Sequence, residues 1–133
     1  MPCPEQLFSA AIEAFSHAYA PYSGFSVGAA VLADNGQIYS GCNVENISYP
    51  CGTCAEAGAL AAMIAGGGKR IREIIIIAGG SELITPCGAC LQRIKEFADN
   101  QTLIHLADRS AVRQTFTIAE LLPHAFAEKD LIK

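Results

Sequence analysis

The sequence lacks any run of lysine or arginine, and these two residue types occupy only 9 of its 133 positions. The formal net charge is −4, whereas proteins that bind nucleic acids usually carry clustered positive charge. The sequence also lacks a stretch of about 18 consecutive apolar residues, the length that a membrane-spanning helix needs. We therefore expect neither a nucleic-acid partner nor a membrane partner.

Residues Met1 to Glu5 lack the basic and apolar segments of a secretory signal peptide. We therefore expect a cytoplasmic location, where the six cysteines stay reduced and favour metal binding over disulfides. The three histidines, His17, His105 and His124, have no ligand-like spacing, and none is assigned a catalytic role.

The most informative pattern combines three cysteines with one carboxylate. Cys54-Ala55-Glu56 is followed about thirty residues later by Pro86-Cys87-Gly88-Ala89-Cys90. Three thiolates, from Cys54, Cys87 and Cys90, can hold Zn²⁺ and leave its fourth position open for water, as in catalytic zinc sites. Glu56 is well placed to move the protons of that water. A ligand-x-Glu segment followed by Pro-Cys-x-x-Cys is typical of zinc deaminases that act on nucleobases.

An alternative interpretation is a closed structural zinc site. Cys51 and Cys54 form a second Cys-x-x-Cys pair, and four cysteines are enough for a site without catalytic function. The separation of Cys54 from Cys87 exceeds the spacing of about 15 to 20 residues found in zinc ribbons. Glu56 would also have no chemical role in such a site. The three-cysteine site, with Cys51 lining it but not binding the metal, is therefore favoured.

Apolar periodicity predicts one α/β domain over residues 1–133. The expected helices cover Glu5–Ala20, Cys54–Ala65, Cys87–Ala98 and Ala119–Leu122, and the expected strands cover Phe25–Ala33, Gln37–Asn43, Ile71–Gly79, Leu103–Ala107 and Arg113–Ile118. Helices that alternate with strands predict a three-layer α/β/α sandwich around a central mixed five-stranded sheet. Both ligand groups then lie where helices begin, and unpaired N–H groups there favour thiolates.

With these residues in place, the chain resembles the small cytidine deaminases, the homotetrameric type with three cysteine ligands. The resemblance rests on the two zinc motifs and on Ala20-Pro21-Tyr22-Ser23 with Phe25-Ser26-Val27-Gly28-Ala29-Ala30, Gly41-Cys42-Asn43-Val44-Glu45-Asn46, and Glu120-Leu121-Leu122-Pro123 with Phe126. It implies a zinc-dependent enzyme that converts cytidine or deoxycytidine to the uridine form and releases ammonia, in pyrimidine salvage.

The resemblance also implies residues that bind a small pyrimidine nucleoside. Asn43 and Glu45 would hydrogen-bond the ribose hydroxyl groups, and Phe25 would pack against the pyrimidine ring. Ala55 would line the pocket, and Tyr49 would line the pocket of a neighbouring subunit. Phe126 would reach into the site of a neighbouring subunit, so that the sites of a homotetramer are shared between subunits.

The sequence departs from the family at two positions. The family typically carries arginine directly after the catalytic glutamate and after the last cysteine, where this chain has Ala57 and Leu91. The site should therefore be more electron-rich unless another cation, such as Arg93, takes their place. Loss of both side chains predicts tolerance of cytidines substituted on N4 or C5, and it also brings the blasticidin-S deaminases into consideration as an alternative.

Overall fold

The computed structural model of the protein describes residues 4–131, so Met1 to Cys3, which contributed to the predicted cytoplasmic location, lie outside the described residues. Helices α1 to α4 cover Pro4–Ser16, Ala55–Ala65, Gly88–Phe97 and Ile118–Leu121, and strands β1 to β5 cover Val27–Ala33, Ile38–Cys42, Ile71–Ala78, Leu103–Ala107 and Val112–Phe116. Short 3-10 turns occur at Tyr49–Cys51 and Glu128–Asp130. Among the helices described, none has the length and apolar character needed to cross a membrane.

The five strands form one mixed sheet in the order β2-β1-β3-β4-β5. Only β3 and β4 run parallel, and α3 forms the crossover between them. The other neighbours are antiparallel, with β1 and β2 joined by a hairpin whose turn contains Gly36 at φ +82°. Glycine adopts this left-handed conformation without steric cost, which suits the Asn35-Gly36 turn between the two strands.

Hydrophobic residues cover both faces of the sheet at the four consecutive isoleucines of β3. Ile74 and Ile76 pack with residues of α2 and α3, whereas Ile75 and Ile77 pack with residues of α1. The alternation follows from the two-residue repeat of a strand. Helix layers on opposite faces of one mixed sheet confirm the predicted α/β/α arrangement.

Three strands meet at the edge of the sheet where the functional segments lie. Gly28 of β1 pairs with Cys42 of β2 and with Ile77 of β3, so β1 begins where β2 and β3 end. Asn43 directly follows β2, and Phe25 precedes β1. The strand pairing therefore brings segments that are distant in sequence to one end of the molecule.

Because Gly41 has no side chain, the backbone of helix α2 packs directly against the backbone of strand β2. A Cβ atom at Gly41 would lie 2.4 Å from the Ala59 nitrogen and 2.7 Å from the Ala55 carbonyl oxygen. Such separations are too short for any side chain, because both neighbours are backbone atoms. The absence of a side chain at Gly41 therefore sets the depth at which α2 packs on the sheet.

Helix α1 ends at Ser16, four residues before the predicted end at Ala20. The chain leaves the helix because Tyr19 forms backbone hydrogen bonds with a distant segment. Its N–H donates to the Asn43 carbonyl at 2.9 Å, and its carbonyl accepts from the Glu45 N–H at 2.8 Å. Tertiary pairing therefore overrides the helical periodicity in this segment.

The boundary between β5 and α4 also differs from the prediction. The strand covers Val112–Phe116 instead of Arg113–Ile118, because Thr117 is the N-cap of the following helix. Thr117 and Glu120 form a capping box, in which each side chain accepts a hydrogen bond from the backbone N–H of the other residue. The Thr-x-x-Glu spacing is a recognisable signal that the sequence analysis missed.

Candidate metal and substrate site

A cluster of two cysteines and one glutamate lies at the start of α2 and α3. One Sγ each of Cys54 and Cys90 and a carboxylate oxygen of Glu56 all lie within 4.8 Å of one another. Cys54 is the N-cap of α2, and Cys90 lies in the first turn of α3. Packing of both helices on the same face of the sheet therefore brings these three side chains together.

A hydrogen bond joins the two sulfur atoms. The Cys90 thiol donates a hydrogen bond to the Cys54 sulfur, and this bond is the main reason that the pKa of Cys54 falls to about 6. The backbone N–H of Ala57 and the charge of Arg93 lower it further. The same hydrogen bond raises the pKa of Cys90, which is 1% exposed. Cys54 is therefore the sulfur that ionises first.

Arg93 supplies a positive charge beside both sulfur atoms. Its Nη1 lies 3.8 Å from the Cys54 Sγ and 3.6 Å from the Cys90 Sγ, and it donates to both. Arg93 is exposed, lies one helical turn after Cys90, and reaches across to the N-terminus of α2. Arg93 thus lies where a cation can substitute for the arginines that are absent at Ala57 and Leu91.

Glu56 is buried beside the sulfur atoms, with only 4% of its surface exposed. Burial raises the pKa of its carboxyl group above the ordinary value of 4.5, and the charge of Cys54 raises it further. A carboxyl group with a raised pKa in a closed site is suited to accept and return protons. The catalytic role of Glu56 stays a prediction.

The other two cysteines of the motifs lie at the surface. Cys87 is the N-cap of α3, is exposed, and is not part of the 4.8 Å group, so its role as a metal ligand stays a prediction. Cys51 is also exposed, and its Sγ lies 3.5 Å from the Ser48 Oγ. Among the described residues, the cluster thus contains one cysteine of each Cys-x-x-Cys pair, Cys54 and Cys90, and does not contain Cys51. The thiols of Cys54 and Cys90 are donors that suit Zn²⁺, and the Glu56 carboxyl group beside them is a group that can transfer protons.

A cavity of about 490 Å³ opens next to Cys54. Three of the predicted nucleoside-binding residues line it, namely Asn43, Glu45 and Tyr49. Tyr49 is 76% exposed, and its ring lies 6.5 Å from the ring of Tyr22, with an interplanar angle of 59°. The volume is within the range of about 300 to 1,000 Å³ typical of small-molecule pockets.

Asn43 and Glu45 are both anchored by protein hydrogen bonds. The Asn43 side chain accepts from the Val27 N–H at 2.9 Å and donates to the Phe25 carbonyl at 2.8 Å. Glu45 accepts from the backbone N–H of Tyr22 and from both the N–H and hydroxyl groups of Ser23. These bonds, chiefly that from the Ser23 hydroxyl, lower the pKa of Glu45 below its ordinary value.

The anchoring role of these side chains was not predicted from the sequence. The signal for this role in the sequence is the position of Ser23, which follows Pro21-Tyr22 in the segment that leads into β1. Asn43 and Glu45 nevertheless keep hydrogen-bonding capacity. An amide nitrogen has two protons and a carboxylate oxygen has more than one lone pair. Each group therefore has the capacity for a further hydrogen bond.

The remaining predicted site residues lie outside this cavity. Phe25 is half-buried near Gly80, and Ala55 is completely buried in the core. Phe126 is 56% exposed and lines two cavities beside the end of α3, where its carbonyl accepts from the Gln92 side chain at 2.8 Å. Phe126 therefore does not line the cavity beside Cys54, and its contact with the site of a neighbouring subunit stays a prediction.

Comparisons with known proteins agree with this geometry. A family model described as cytidine and deoxycytidylate deaminase zinc-binding region matches residues 1–106. A cytidine deaminase of Sporosarcina psychrophila is 39% identical over 127 residues, which cover 96% of this chain and 93% of the relative. The crystal structure of a cytidine deaminase from Burkholderia pseudomallei matches with a TM-score of 0.85 at 38% identity, covering 94% of this chain and 100% of that chain. The cytidine deaminase of Mycobacterium tuberculosis matches with a TM-score of 0.78 at 37% identity, covering 92% and 96%.

These matches confirm the predicted family resemblance and the α/β fold. The zinc-binding description of the matched region, together with the cluster at Cys54, Glu56 and Cys90, also confirms the prediction of Zn²⁺ as the cofactor.

Proposed function

The chain belongs to the cytidine and deoxycytidylate deaminase family, and we propose that it catalyses the hydrolytic deamination of cytidine and deoxycytidine to uridine and deoxyuridine. The observation that carries this proposal is the buried Glu56 carboxyl group within 4.8 Å of two cysteine sulfur atoms. Cys54 and Cys90, with Cys87 as the third ligand, would hold Zn²⁺. The metal supplies Lewis-acid activation of the attacking water.

Glu56 moves the protons of the reaction. Its carboxylate accepts a proton from the attacking water and delivers it to N3 of the pyrimidine ring as the C4–O bond forms. It then transfers the second water proton to the amino group on C4. The C4–N bond breaks, ammonia leaves, and the carboxylate is restored. A single residue can serve as base and then as acid because burial raises the pKa of its carboxyl group above the ordinary value.

The cavity beside Cys54 is the proposed nucleoside site. The remaining Asn43 Nδ2 proton and the acceptor capacity of Glu45 Oε2 would bind the ribose hydroxyl groups, and Tyr49 would form part of the wall. Because Asn43 also holds the Phe25 carbonyl, we propose that Phe25 packs against the pyrimidine ring. Ala55, directly after Cys54, would support the ring from the buried side.

We also propose that the chain forms a homotetramer whose sites are shared between subunits. Phe126 is exposed but held in place by Gln92, which suits insertion into the site of a neighbouring subunit in a homotetramer. We further propose that residues 1–133 act as one catalytic domain, in the cytoplasm and in pyrimidine salvage. Size-exclusion chromatography with light scattering tests the tetramer, and Phe126→Ala should then lower activity at every site.

Tolerance of N4- or C5-substituted cytidines stays a prediction that now depends on Ala57 alone. Leu91 is only 7% exposed and packs in the core, so it opens no space. Ala57 is half-buried and lines a cavity of about 710 Å³ between α2 and α3. Rates with N4-alkyl and N4-acyl cytidines, relative to cytidine, test this prediction. Strict preference for unsubstituted cytidine would rule out the wider site.

The decisive experiment is a substrate panel followed by ultraviolet absorbance, with zinc content measured on the same sample. Cytidine and deoxycytidine should be deaminated, and blasticidin S should not. Glu56→Gln should keep its zinc and lose turnover. Cys51→Ser should keep both zinc and activity. Release of zinc from Cys51→Ser would instead support the four-cysteine structural site.

A further inference from the structure

With Zn²⁺ bound by the three cysteines of the proposed function, the metal site would carry an excess of negative charge that a nearby cation can offset. Three thiolates around Zn²⁺ give a net charge of −1, and the neighbouring Glu56 adds another when it is ionised. Unpaired charge of this kind is costly where water is excluded. Arg93 is the cation that the structure places against the cluster, with one guanidinium nitrogen 3.6 Å and 3.8 Å from the two sulfur atoms.

We propose that Arg93 is a positioning residue of the zinc site, which joins Cys54 of one helix to Cys90 of the other and offsets the charge of the thiolates. This inference rests on the zinc site of the proposed function but not on the identity of the substrate. It assigns to Arg93 a contribution to metal affinity that acts through the two ligands.

The geometry gives Arg93 access to both sulfur atoms. Arg93 follows Cys90 by three residues, a spacing that places two side chains on the same side of a helix. Cys54 belongs to the start of a different helix, so contact with both sulfur atoms links α2 to α3. A guanidinium has five N–H donors in one plane and suits such a bridge better than an ammonium group.

The neighbouring surface provides a way to test charge separately from residue identity. Ala57 and Arg93 line the same cavity of about 710 Å³ between α2 and α3. An arginine introduced at position 57 would therefore have room to reach the sulfur atoms from the opposite helix. If Ala57→Arg restores zinc affinity to a protein that lacks Arg93, the positive charge is required and the packing of the Arg93 side chain is not.

The primary test measures the zinc affinity of the full-length protein by competition with a chromophoric chelator. Arg93→Gln should weaken zinc binding by about 10- to 100-fold, the effect typical of residues that contact metal ligands. The pH at which half the protein holds zinc should also rise, because the thiols must lose their protons without a neighbouring cation. Arg113→Gln is the matched control, since Arg113 pairs with Asp108 on the surface at 2.7 Å. It should leave zinc affinity unchanged.

Two further variants complete the design. The double variant Arg93→Gln with Ala57→Arg should recover most of the lost affinity, and Arg93→Lys should recover part of it. A folded Arg93→Gln protein with the zinc affinity and pH dependence of the wild type would overturn the proposal. The proposal would also fail if Arg93→Lys keeps no more affinity than Arg93→Gln and the added Ala57→Arg restores none. If zinc binding depends on Arg93 but cytidine is not a substrate, the proposed function fails and this inference stands.

Discussion

Substitution of Gly41 by alanine tests whether the close contact of α2 with β2 controls the metal site. The new Cβ atom would lie 2.4 Å from the Ala59 nitrogen, about 1.0 Å inside the 3.4 Å at which ordinary contact begins. The opposing atoms belong to the backbone and cannot rotate away. Helix α2 must therefore move outward by about 1 Å or the strand must bend.

The expected effect has two parts. Excess packing in a core typically costs about 1–3 kcal/mol, so the free energy of unfolding should fall by that amount. Because α2 carries Cys54 and Glu56 at its start, the same displacement should move both functional groups. A misplacement of about 1 Å can lower a catalysed rate by about 100-fold.

Steady-state kinetics with cytidine, zinc analysis and urea unfolding measure these effects on one preparation. Gly58→Ala is the matched control at the same interface, because a Cβ atom there would lie 3.5 Å from Gly41 Cα, in ordinary contact. Alanine also favours a helix over glycine by about 1 kcal/mol, so Gly58→Ala should be neutral or stabilising. A Gly41→Ala protein with wild-type kcat and stability would refute the argument that this contact sets the helix position.

Two other predictions concern residues of the site. Asn43→Ala leaves the Val27 N–H and the Phe25 carbonyl without their partner, so urea unfolding should show a loss of roughly 1–3 kcal/mol; a change below about 0.5 kcal/mol would contradict the anchoring role. Glu56 binds its proton more tightly in the folded, metal-stripped protein than in the unfolded chain, because burial raises its pKa above 4.5. Wild-type stability should therefore fall as pH rises from about 4.5 through the raised pKa, whereas Glu56→Gln lacks this fall. Urea unfolding across this range measures the difference, and parallel pH profiles for the two proteins would contradict the buried carboxyl group.

The sequence was most informative where local chemistry and long-range packing agree. The isoleucine run of β3 could be assigned because a strand covered on both faces needs apolar residues at every position. The starts of α2 and α3, for which Cys54 and Cys87 are the N-caps, could likewise be located to within one residue, since thiol ligands and helix N-termini favour one another. These assignments needed no knowledge of the tertiary structure.

The features that could not be predicted depend on contacts between distant segments. The end of α1 at Ser16 results from the pairing of Tyr19 with the segment after β2, which the helical periodicity of residues 5–20 does not encode. The anchoring of Phe25 and Val27 by Asn43 likewise requires β1 and β2 to be adjacent. Arg93 was identified in the sequence only as a possible substitute cation, because its reach to Cys54 depends on how α2 and α3 pack.

The dual hydrogen bonding of Asn43 and Glu45 limits how the enzyme's substrate range can be redesigned. Each side chain fixes the backbone before β1 and also lines the cavity, so exchanging either one alters binding and folding together. Engineering for sugar-modified nucleosides should therefore begin at Tyr49, whose exposed ring borders the same cavity without anchoring the strands. Libraries at that position should yield more stable variants than libraries at the two anchoring residues.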